Sequence, residues 1–189
     1  MTRALALGVL ALLALSLIAR AFPGDPSALA QPASGPSDAA PFAPWDGAWE
    51  GAFNVYQPDG TRESSVSVRQ RYVSLSPTEQ NVEIVDRLPD GSTRVSRGRN
   101  VASGGRLECR IWEPDGTSKL LVGRRLGRAL LWHRRDDAAG VEETFREEIL
   151  LTPSGELYTI DGYGLYGTGA GRRHLLFEGR YRRAGEESD

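Results

Sequence analysis

The sequence predicts an all-β domain: an antiparallel up-and-down meander of eight to ten strands that closes into a barrel. Three observations carry this reading. Short runs with period-two alternation of apolar and polar residues recur from Trp49 onward, which is the pattern of half-buried strands. Turn signals separate the runs, most clearly Pro58-Asp59-Gly60, Pro89-Asp90-Gly91 and Pro114-Asp115-Gly116. In such turns Pro presets φ and Gly accepts a positive φ. No stretch after residue 21 carries the 3.6-residue period of an amphipathic helix. Short links make a sequential meander the simplest topology, and closure removes the exposed edges a long meander would leave.

The elements follow in order. Trp49, Gly51, Phe53 and Val55 share one face of the first run, and Val66, Val68 and Tyr72 one face of the second. Val82, Ile84 and Leu88 come next, with Asp86 among them. Leu107, Cys109 and Ile111 then oppose Glu108 and Arg110. Around Trp132 two pairings, Leu130 with Trp132 and Leu131 with His133, compete for the inner face. Val141, Phe145, Ile149 and Leu151 share a face with Glu143 and Glu147, and Leu175, Phe177 and Tyr181 mark the last strand. The prolines of successive turn signals, Pro153-Ser154-Gly155 included, are 31, 25 and 39 residues apart. That spacing has no fixed period and excludes a propeller or solenoid.

Outside this domain the chain reads as an address and a linker. Arg3 precedes an apolar run, Ala4 to Ala19, followed by small-x-small sites at Ala19-Arg20-Ala21 and Ala28-Leu29-Ala30. This is the layout of a secretory signal, assigned to residues 1–21 with cleavage as late as 30. It predicts export to the periplasm or medium. An uncleaved anchor is the alternative, and the only expected membrane contact, although the run is short for a spanning helix. Residues 22–44 hold six of the eleven prolines and read as a Pro/Ala-rich disordered linker. The barrel is assigned to 45–183 and an acidic tail to 184–189.

Charge and cysteine narrow the class. The net charge is -2 over 189 residues, against the strong basic excess of nucleic-acid binders. Cys109 is the lone cysteine, which excludes an intramolecular disulfide or a Cys-based zinc knuckle.

The domain opens with Trp45-Asp46-Gly47-Ala48-Trp49-Glu50-Gly51 and ends with Phe177-Glu178-Gly179-Arg180-Tyr181-Arg182-Arg183. The Gly47-x-Trp49 triplet at the first strand resembles the signature of calycins, the group holding lipocalins and fatty-acid-binding-type barrels. The resemblance implies that Trp49 plugs the closed end and packs against an arginine near the chain's end, with Arg180 or Arg182 as the match. A guanidinium on an indole face gains cation–π energy. Nitrobindin-like barrels stay open as well; some bind haem through one His, which would make His174 an axial ligand. Otherwise no cofactor and no metal is expected: His133 and His174 are 41 residues apart, unlike the clustered ligands of zinc sites.

Gly162-Tyr163-Gly164-Leu165-Tyr166-Gly167 matches the dinucleotide fingerprint in letters but lacks the strand–helix context that motif requires. It reads as a flexible loop at the barrel mouth. Glu143 and Glu147, on an apolar face with Phe145, are carboxylates whose burial needs a partner; burial also raises pKa, as a general acid requires.

The expected function is non-catalytic binding of a small apolar or amphipathic molecule inside the barrel. The expected wall is Phe53, Tyr72, Ile84, Trp132, Glu143, Phe145, Glu147 and Phe177, with Trp49 and Arg180 as structural closure. Two alternatives stand beside it. One is a barrel enzyme (isomerase, lyase or hydrolase) using an interior Glu. The other is a ligand-free interaction module presenting exposed aromatics such as Trp45 or Trp112.

Overall fold

The computed structural model describes residues 40–185. Ten strands run in chain order: β1 Gly47–Tyr56, β2 Arg62–Ser76, β3 Glu79–Arg87, β4 Thr93–Ser103, β5 Arg106–Trp112, β6 Ser118–Leu126, β7 Ala129–Asp136, β8 Val141–Thr152, β9 Gly155–Tyr166 and β10 Arg173–Arg183. Each pairs antiparallel with the next, and β10 returns to β1 to close the barrel. The meander and its closure are as expected, at the upper end of the expected strand count. The signal segment, most of the 22–44 linker and residues 186–189 lie outside the described residues.

Alternation sets the two faces. Odd-numbered side chains face inward on β1, β5 and β10, even-numbered ones on β7, since parity is kept only along each strand. Leu130 and Trp132 face inward, 2% and 3% exposed, which settles the competition on β7.

The links alternate between the two ends. The three Pro-Asp-Gly turns join β1 to β2, β3 to β4 and β5 to β6, so all lie at one end, the mouth. They share one geometry. In the first, Gln57 N–H donates to the Thr61 carbonyl at 2.8 Å, Gly60 N–H to the Gln57 carbonyl at 2.9 Å and Thr61 N–H to Asp59 Oδ1 at 2.8 Å. Leu88–Ser92 and Glu113–Thr117 repeat it.

The opposite end is plugged. Phe42, Trp45 and Trp49 are 1%, 2% and 0% exposed, and both indoles meet Tyr158 edge-on, with centroids 6.4 and 5.4 Å away. Trp49 Nε1 donates to the Trp45 carbonyl at 2.8 Å. Gln80 Nε2 donates to the Phe42 carbonyl at 3.0 Å and to Asp46 Oδ1 at 2.9 Å, and Asn100 donates to Gln80 at 2.9 Å. These bonds satisfy polar groups that burial would otherwise penalise.

Four expectations are corrected here. The last residues of the 22–44 segment belong to the barrel: a Pro/Ala-rich composition hid Phe42, a single aromatic that fits the barrel's end. Trp45 is buried and offers no exposed surface. The arginine on Trp49 is Arg183, its guanidinium carbon 3.9 Å from the ring centroid, and it also donates to the Asp46 and Pro44 carbonyls. Arg183 lies opposite Trp49 in the β1–β10 register. Arg180 and Arg182 have the other parity and point outward, Arg180 pairing with Asp161 at 2.6 Å and Glu178 at 3.0 Å. Finally, Gly162 to Tyr166 form the end of β9, not a loop. Gly162 sits between Phe145 on β8 and Phe177 on β10, and a missing side chain there leaves room for both rings.

Candidate functional site

A ten-strand barrel encloses more space than its own side chains fill, and here the remainder is a cavity of about 600 Å³. It runs from Tyr72 and Tyr181 above the plug to Leu88, Pro89 and Asp90 of the β3–β4 turn at the mouth. Phe53, Tyr72, Ile84, Trp132, Glu143, Phe145 and Glu147, expected from sequence, all line it. Phe177 does not. It is 1% exposed and packs behind the wall against Phe53, centroids 5.8 Å apart, with Val55 and Leu175. Val66, Val68, Ile111, Leu121 and Ile160 complete the apolar wall.

The polar lining falls into two levels. Near the mouth, three interior carboxylates each meet a cation. Asp86 pairs with Arg94, its direct neighbour across β3 and β4. Glu113 pairs with Lys119 and accepts from Ser96 Oγ at 2.8 Å. Burial pushes the Glu113 carboxyl up, but Lys119 and Ser96 outweigh it and leave it below its ordinary value. Glu143, 1% exposed, accepts from Arg134 at 3.2 Å and from the Tyr166 hydroxyl at 2.8 Å. Arg134 faces Glu143 in the β7–β8 register. A buried carboxylate is tolerable when charge and hydrogen bonds both compensate its lost hydration.

Glu147 lies two inward positions deeper on β8, about 13 Å along the strand from Glu143. The Tyr158 hydroxyl and the Trp132 indole face it and favour its charged form, yet burial prevails and raises its carboxyl to about 7. No ion pair reaches it among the described residues. Around it stands a phenol cluster. Tyr72 donates to Gln70 Oε1 at 2.5 Å, and the Tyr72 and Tyr158 hydroxyls are 3.1 Å apart. The Tyr181 hydroxyl faces the Gln70 amide without closing a well-aligned hydrogen bond. Burial, reinforced by the Glu147 charge, holds the phenols of Tyr72 and Tyr158 well above their ordinary value.

The remaining candidates sit elsewhere or lack reactivity. Cys109 lines the cavity, but burial and then the Glu147 charge push its thiol up, the reverse of what a nucleophile needs. His133 and His174 are both exposed and line no part of the cavity. The register pairs His174 with Leu165 on the outer face, so it cannot reach a haem held inside. Among the described residues no group of three or more His, Cys, Asp or Glu could hold a metal.

Sequence reasoning missed the interior cations Arg94, Lys119 and Arg134 and the polar Gln70 and Ser96. For Gln70 and Arg134, parity with inward apolar neighbours was the available signal. Asp86, read among Val82, Ile84 and Leu88, showed it most plainly.

No protein-family model matches the chain, and no curated protein matches it. Among solved structures it is similar to a redesigned beta barrel, with 15% identity and a TM-score of 0.42, over 79% of this chain and 99% of that one. It is also similar to a de novo designed fluorescence-activating beta barrel, at 16% identity and TM-score 0.37, over 74% and 93%. A third similar structure, described as bound to DFHBI, has 15% identity and TM-score 0.38, over 74% and 93%.

Proposed function

We propose that this chain is an exported, calycin-like barrel that binds one small hydrophobic or amphipathic molecule and does not transform it. The observation that carries the reading is the cavity of about 600 Å³, inside the size range of small-molecule sites. Its apolar wall supplies burial, and a few inward polar groups fix orientation, the division of labour such sites use. Phe53, Ile84 and Phe145 contact the apolar body, and the charge pairs at the mouth meet water or a polar end. The apolar run after Arg3 supports export to the periplasm or medium. An empty volume of this size counts against a barrel filled by its own side chains. We assign no resident cofactor.

One observation favours a second reading. A carboxyl raised to about 7 is suited to general acid–base work near neutral pH, so Glu147 would carry any reaction.

Native mass spectrometry of the unheated protein purified from its own host tests the proposal. The expected result is protein plus one small organic molecule, released by solvent extraction. An unliganded mass before and after incubation with decanol would overturn it.

A further inference from the structure

We infer that the cavity's ligand carries a protonated nitrogen, seated against Glu147 and the aromatic rings around it. The inference rests on the binding reading above and names the class of ligand for that same site.

The charge inventory of the interior is the first ground. Among the described residues five carboxylates line the cavity: Asp86, Glu113, Glu143 and Glu147 inside it, and Asp90 on the exposed β3–β4 turn at the mouth, where Ser92 donates to it. The three interior cations, Arg94, Lys119 and Arg134, are engaged one each with the first three. The interior therefore carries one uncompensated carboxylate, and it is the deepest. The groups that act on Glu147 or feel its charge come from five strands: Trp132 on β7, Tyr158 on β9, Tyr72 on β2, Cys109 on β5 and Tyr181 on β10. None of them is a cation.

The second ground is the character of those neighbours. Two of them, Trp132 and Tyr158, carry an N–H and an O–H that favour the charged carboxylate. Tyr72, Trp132 and Tyr181 present aromatic surface to the same part of the cavity. A carboxylate set among indole and phenol rings is the chemistry that recognises an ammonium group, through ion pairing and cation–π attraction together. A bound cation would also supply the charge partner that a buried carboxylate lacks. An anionic head group would instead bring like charge to Glu147. The mouth cations offer it no free partner, since each already holds a carboxylate.

The test compares three probes with one apolar body: decylamine, decanol and decanoate. Their affinities for the intact chain are measured by titration calorimetry near pH 8, where both decylamine and Glu147 are charged. The expected order places decylamine about tenfold or more above decanol, with decanoate weakest. In Glu147→Gln the amine's advantage over decanol disappears. If that variant fails to fold, the wild type decides. Lowering the pH from about 8 to about 5.5 protonates Glu147 and weakens decylamine by about tenfold, while decanol is unchanged. Both histidines lie outside the cavity. Equal binding of all three probes, or a preference for decanoate, would overturn the inference and leave the binding reading intact. Failure of all three to bind would overturn both.

Discussion

At the closed end, Phe42, Trp45, Trp49 and Tyr158 are at most 2% exposed, and Gln80, Asn100 and the Trp49 indole donate hydrogen bonds within the plug. The mouth is the reverse: three carboxylate–cation pairs and three Pro-Asp-Gly turns ring an opening into the cavity. The contrast shows how one barrel divides stability from access. Rings packed edge to face and amide hydrogen bonds fix one end. Paired charges keep the other end wet without leaving an orphaned ion. Glu147 lies between them, close enough to the plug to be desolvated and too far from the mouth to share its cations.

The contrast can be broken at its strongest point first. At Gly51 in β1, an added Cβ would lie 1.9 Å from the Arg180 carbonyl oxygen across the closing β1–β10 seam. Gly51→Ala should therefore lose cooperative folding, read as absence of a thermal transition in circular dichroism. A wild-type melt would show that the seam tolerates a shift. At the mouth, Arg134→Ala strands Glu143 and should cost about 3 kcal/mol in urea denaturation. Replacing both partners, Arg134→Met with Glu143→Leu, should cost much less, because no buried charge is left unpaired.

Between the ends, Glu147 links stability to pH. Its folded value, about 7, lies above its ordinary 4.5, so the folded barrel holds the proton more tightly than the unfolded chain. Stability should be highest below about pH 4.5, fall as pH rises toward about 7, and level off beyond. Glu147→Gln should remove that slope and leave the variant more stable near pH 8, by on the order of 2 kcal/mol once water in the cavity is allowed for. A slope unchanged in the variant would assign it to other groups. The smallest effect belongs to the turns. Gly60 has φ +86° but nothing within 4 Å of an added Cβ, so Gly60→Ala should cost only about 1 kcal/mol of backbone strain in the same denaturation assay.

The fold and most of the wall were legible because period-two alternation states which side chains share a face. Phe53, Tyr72, Ile84, Phe145, Glu143 and Glu147 followed from that rule alone. Parity alone separates Arg183, in step with Leu175, Phe177 and Tyr181, from Arg180 and Arg182, but the rule failed to place it: only the β1–β10 register sets Arg183 opposite Trp49. It also failed where an inward charge looks like an outward one. Arg94, Lys119 and Arg134 read as solvated until their carboxylate partners are brought across from a neighbouring strand or turn. Gly162 misled in a third way, since a glycine that makes room for a cross-strand ring is indistinguishable in sequence from one that bends a loop.

The most direct test of the account is fluorescence titration with Nile red, a neutral apolar dye, on the wild type and on Val66→Trp, which places an indole in the cavity. The account predicts saturable one-to-one binding that decanol displaces, and its loss in the variant while the circular dichroism spectrum is retained. Binding that survives the filled cavity would place the dye on the outer surface and contradict the account.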